Sequence, residues 1–136
     1  MASKHAKIWK AIKTYLEAYP SLPPVRYGGG SFDPPSGAYF IVDDVRFDGR
    51  RIYTETAGQN WHTGDLIIGV MVPLQWTDLQ SANYAGEIAD YFVQDTPMTY
   101  DGVEVRVARQ PTVSGAGYRD GDRFRIPVIV PWEGFV

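Results

Sequence analysis

The run Leu66-Ile67-Ile68-Gly69-Val70-Met71-Val72-Pro73 constrains the fold more than any other stretch of this 136-residue chain. It holds no polar side chain, so it does not alternate in the manner of a strand with one wet face. It is also far shorter than the ~20 apolar residues that cross a bilayer. A strand in the middle of a sheet, covered on both sides, satisfies both conditions.

The flanking sequence supplies what would surround such a strand. Ser3 can cap a first helix, in which Ile8, Trp9, Ile12, Tyr15, Leu16 and Tyr19 recur at three- and four-residue steps. Pro20 has no N–H to donate and disfavours helical backbone at Tyr19, and Pro23-Pro24 extend the stop, so the helix should close near residue 18 or 19. Gly28 to Gly37 reads as an irregular loop, and Ala38 to Phe47 as a strand whose alternation Asp43-Asp44 interrupts. Asp48-Gly49 is a turn pair that should fold Arg50 to Thr56 back as a hairpin partner, with Ala57 to Gly64 a polar connection. Thr77 and Gln80 have capping-box spacing. The second helix then carries Leu79, Ala82, Ala85, Ile88, Ala89 and Phe92 as its apolar stripe.

Val103, Val105 and Val107 alternate with polar neighbours, as do Phe124, Ile126, Val128 and Val130, which gives two more strands that should be antiparallel neighbours. Pro111 to Asp122, with Gly115, Gly117 and Gly121, reads as the long loop between them. The order helix, three strands, helix, two strands predicts an α+β fold: a mostly antiparallel sheet of about five strands with two helices packed on one face. The opposite face then needs cover. The length fits one domain over residues 1–136.

Composition narrows function chiefly by exclusion. Without cysteine there are no thiolate nucleophiles, disulfides, cysteine-ligated zinc sites or iron–sulfur clusters. Two histidines, His5 and His62, cannot build a histidine-rich metal set, and His62 in a polar connection reads as a solvated side chain. Adjacent carboxylates at Asp43-Asp44 point to opposite faces of a strand and cannot converge. Gly28-Gly29-Gly30 is followed by no GK[ST], and Asp120-Gly121-Asp122 lacks the remaining ligands of a calcium loop. No catalytic residue, metal or cofactor is expected.

A formal charge of −3 offers no field for duplex DNA. Arg106, Arg109, Arg119, Arg123 and Arg125 do gather in the last third, but Glu104, Asp120 and Asp122 offset them; salt-bridged strands at a subunit contact suit this pattern better than a nucleic-acid platform. Trp61, Trp76, Trp132, Phe47, Tyr53, Phe135 and Arg51 are of the residue types enriched at interface hot spots.

In its order of segments the chain resembles the tail terminator family of long-tailed bacteriophages, with prophage and gene-transfer-agent relatives. The likeness rests on the helix closing at Tyr19-Pro20, on Phe32-Asp33-Pro34-Pro35-Ser36-Gly37-Ala38-Tyr39 leading into a strand, and on Gly69 to Pro73 before helix 2. Gly102 to Pro111 and Asp120 to Val130 extend it over nearly the whole chain. The resemblance implies a non-enzymatic virion subunit, assembled in the host cytoplasm, that forms a hexameric ring at the head-proximal end of the tail. It implies two further partners, the major tail tube protein and a head-completion or neck protein, and neither membrane nor specific nucleic acid.

It further implies a long loop at about Phe47 to Gly64 that orders when the ring forms. Phe47, Arg50, Arg51, Tyr53 and Trp61 in this segment are the expected subunit or tube contacts. Another neck or tail-tube component, or a small ligand- or nucleic-acid-binding module, is the alternative reading.

Overall fold

The computed structural model describes residues 3–27, 32–45, 48–51, 60–114 and 117–135. Among these described residues, two helices and nine strands run in the order α1 (Lys4–Glu17), β1 (Val25–Tyr27), β2 (Tyr39–Val45), β3 (Asp48–Arg51), β4 (Asn60–Pro73), α2 (Asp78–Tyr91), β5 (Pro97–Tyr100), β6 (Val103–Val107), β7 (Thr112–Val113), β8 (Tyr118–Asp120) and β9 (Arg123–Phe135). The sheet runs β1-β2-β4-β9-β6-β5, with β3 also on β4 and β7 and β8 also on β9. It is α+β, but larger than about five strands, and it is mixed because β1 pairs parallel to β2. The register of that pair runs from Val25 opposite Phe40 to Tyr27 opposite Val42, and a parallel pair needs a crossover rather than a tight turn.

Local signals set the helix ends. Ser3 Oγ accepts from the Ala6 amide and Thr77 Oγ1 from the Gln80 amide, each at 3.1 Å, and α1 closes at Ala18 ahead of Pro20. The apolar run lies in β4, between β2 and β9. β4 and β9 pair antiparallel without interruption from Trp61–Phe135 to Pro73–Arg123. Even-numbered residues of these two strands, among them Leu66, Ile68, Val70, Val128, Val130 and Trp132, share one core with Ile8, Ile12 and Leu16 of α1, with Ala85 and Ile88 of α2 and with Phe92 at the C-terminal cap of α2. Both helices therefore cover the same face.

Several expectations are corrected. Asp48-Gly49 is no turn: β3 pairs with β4 rather than folding back on β2, because the 14-residue β4 is long enough to hold β2 and β3 in succession along one edge. Residues 60–64 are strand, not polar connection. The interruption at Asp43-Asp44 is a register shift between Val42 and Asp44. The stretch from Pro111 to Asp122 contains β7 and β8, both hydrogen-bonded to β9. On α2 the buried positions are Ser81, Ala85, Ile88 and Ala89; Leu79 is 84% exposed and Ala82 also faces solvent. His62 is buried on β4, its ring edge-on to His5 at 5.7 Å, and is not a solvated loop side chain.

Candidate subunit-contact surface

The sheet face turned away from the helices is built by the odd-numbered residues of β4 and β9. Cross-strand partners there are Trp61 with Phe135, Thr63 with Glu133, Asp65 with Pro131, Ile67 with Ile129, Gly69 with Pro127, and Met71 with Arg125. Among the described residues no helix lies over this face. Ile67, Ile129 and Pro127 are half-buried only, and Phe135 is 46% exposed.

The two ends of the face differ. At the Met71 end the chain covers itself: Phe32 packs on Tyr39 at 5.4 Å, the Arg123 guanidinium lies 5.6 Å from the Tyr39 ring, and Arg123 Nη2 donates to the Pro35 carbonyl. Arg125 lies flat on Gly69, where a β-carbon would come within 2.9 Å of its guanidinium, and its Nη1 is 3.6 Å from Asp120. Burial holds the Arg125 pKa below the usual arginine value, partly opposed by Tyr39. Glycine at 69 thus lets a cation lie against backbone and closes this end of the sheet.

The Trp61 end stays open as a shallow groove of about 570 Å³ lined by Trp61, Thr63, Asp65, Arg109, Pro131 and Glu133. Arg106 binds Glu133 from the β6 side at 2.8 Å, and this bond raises the Arg106 pKa. The groove therefore has an apolar floor and a rim carrying both signs of charge. No group of three or more metal-ligating side chains occurs among the described residues. Such a surface suits packing against another protein.

Of the residues expected to make contacts, Trp61 lines this groove. Arg50 stands opposite Trp61 in the β3–β4 register, and Arg51 opposite Asn60. Phe47 and Tyr53 lie outside the described residues. Sequence reasoning put Phe135 among the interface residue types but missed that β9 brings it beside Trp61; the in-phase alternation of the two strands held that information. It also missed Ile67, Ile129 and Pro131, whose apolar character alone reads as core.

A family model for phage tail terminator protein matches residues 7–132. The chain belongs to that family. As a member of this family it is a structural protein of the phage tail. No curated protein matches its sequence. A protein solved within the virion of a native gene transfer agent particle superposes over 100% of both chains with a TM-score of 0.69 at 13% identity. A second solved structure, bearing only a serial label, covers 96% of this chain and 92% of its own with a TM-score of 0.65 at 20% identity. At these identities the two structures establish a shared fold.

Proposed function

We propose that copies of this chain close into a ring, expected to be hexameric, that seats on the last turn of the tail tube, ends its polymerisation and offers its outer side to a head-completion or neck protein. The observation that carries this reading is the family match over residues 7–132 on a molecule with an open, half-apolar sheet face at Trp61. The virion origin of one structural neighbour supports it. Partners of this kind need shape and repetition rather than an active site: identical contacts around a closed axis hold one another in place, so each can be weak. Phe47, Arg50, Arg51, Tyr53 and Trp61 are the proposed subunit or tube contacts, and the head-proximal end of the tail is the proposed position.

The test replaces Arg51 and Trp61 by alanine in the full-length gene and images the tails. Tails that overgrow and fail to join heads, while the purified variant keeps its circular dichroism, are expected. Tails of normal, uniform length with heads attached would refute the assignment.

A further inference from the structure

We infer that the exposed apolar flank of α2 of one copy seats on the open sheet face of the next, so that a second copy provides the missing layer over the sheet. This rests on the ring reading above and specifies its contact.

Three observations carry the inference. The first is the direction in which α2 faces. Its inward side is spent on the core through Ala85, Ile88 and Ala89, Asn83, Glu87 and Asp90 stand opposite, and one flank between the two sides is apolar and small. Leu79 is 84% exposed, Ala82 is exposed, Gly86 has open space where a β-carbon would stand, and Val93 just past the helix is 53% exposed. Steps of three and four residues place Leu79, Ala82 and Gly86 on one stripe, and Val93 follows just beyond the C-terminal cap.

The second is a match of length. From Leu79 to Tyr91 the helix runs ~18 Å at helical rise, with Val93 just beyond. From Trp61 to Ile67 the open face runs ~20 Å at strand rise. The two bulky ends of the stripe can therefore meet the two apolar ends of the sheet face, with the small middle over Thr63, Asp65 and Pro131.

The third is charge. Asp78, Glu87 and Asp90 make α2 acidic, and it has no basic residue. At the groove rim Arg109 is exposed and has no ion pair among the described residues, whereas Arg106, Arg123 and Arg125 each have an acidic partner. An α2 carboxylate from a neighbour would complete Arg109.

The two surfaces lie on opposite sides of one molecule, since α2 sits on the helix side of the sheet and the groove opens on the other. One chain cannot join them. Copies can, front to back, and such heterologous contacts propagate until rotation closes them. A single helix face buries less than the ~800 Å² per partner of a standard interface, so the contact would be weak in a pair and gain its strength from closure.

The absence of cysteine makes the test direct. Full-length chains carrying Leu79→Cys or Ile129→Cys are mixed and oxidised, alongside a chain carrying both, and ring formation by the unmodified protein and by Leu79→Glu is followed by light scattering and electron microscopy on tail tubes. Residue 79 should link to residue 129, the doubly substituted chain should give a ladder, and Leu79→Glu should raise the concentration needed for assembly about tenfold or more without altering its circular dichroism. Rings without the 79–129 link, or rings formed equally well by Leu79→Glu, would overturn the contact and leave the ring reading standing. The 79–129 link in open chains without rings would uphold the contact and refute the ring. Neither link nor ring would refute both, and links of 79 to 79 alone would mean a two-fold contact instead.

Discussion

Removing the hydroxyl of Tyr15 should destabilise the protein more than removing that of Tyr91, although the two make matching bonds. Tyr15 Oη donates to the Tyr91 carbonyl at 2.7 Å, and Tyr91 Oη donates to the Tyr15 carbonyl at 2.6 Å. The rings stack with centroids 4.4 Å apart. Both carbonyls lie in the last turns of their helices, where no amide four residues on is there to bond them. Each hydroxyl thus caps the other's helix. The Tyr15 carbonyl also accepts from the Ala18 amide at 3.2 Å, so it keeps a partner when Tyr91 loses its hydroxyl. The Tyr91 carbonyl has no second partner among the described residues. A net hydrogen bond is worth about 1 kcal/mol, and stranding a half-buried acceptor adds to that loss. Tyr15→Phe should therefore cost about 1.5 kcal/mol and Tyr91→Phe about 0.5–1 kcal/mol. For a chain of this size the first corresponds to a fall of about 4–6 °C in Tm. Tyr15→Ala, which also removes the stacked ring, should cost about 3 kcal/mol or more. Urea unfolding followed by circular dichroism, with unchanged m values, measures each. Equal costs for the two phenylalanine variants, or a larger cost for Tyr91→Phe, would refute the capping argument.

Gly134→Ala should destabilise far more than Gly69→Ala, by about 1–2 kcal/mol: its β-carbon would meet the Glu104 carbonyl at 2.8 Å and Val105 Cγ1 at 2.7 Å, whereas at Gly69 only the mobile end of Arg125 stands in the way. Chemical denaturation of both variants checks the order. Burial raises the pKa of Tyr91, Tyr84, Tyr27 and Tyr19 above that of free tyrosine. The unfolded chain therefore loses these protons first, and stability, level below about pH 10, should fall as pH rises through the folded values; a Tm that held constant to pH 11 would contradict this. Thr77→Ala should cost about 1 kcal/mol through loss of the α2 cap, read as a Tm shift that Thr77→Ser restores. Arg106→Ala should cost little, because the arginine side chain is half exposed, and the loss should shrink further in high salt, as thermal unfolding at two salt concentrations would show.

What the sequence disclosed was whatever neighbouring residues decide among themselves. Ser3 and Thr77 cap the helices they precede, Pro20 bounds the first, and the unbroken apolar run from Leu66 lies mid-sheet. Where a distant partner decides, the same reading failed. Arg50 and Arg51 look like the return arm of a hairpin, and only the length of β4 gives β3 a different neighbour. Leu79 and Ser81 both begin acceptable stripes on α2, and packing against the sheet, not periodicity, buries Ser81. His62 sits among polar residues, yet pairing with Gly134 on β9 and contact with His5 take it inside. The contact surface was legible in kind, as aromatics with arginines, but not in place, because two strands from distant parts of the chain compose it.

The uninterrupted pairing of β4 with β9 also has a kinetic side. Every one of its partners lies about fifty or more positions away along the chain, and such closures are slow because a large loop must be drawn in before any bond is gained. Until residues 123–135 arrive, the most apolar strand has an unsatisfied edge open to strangers. Synthesis at high copy number would therefore reward temperatures and helpers that shorten this interval, and aggregation should compete with correct folding at this step before any other.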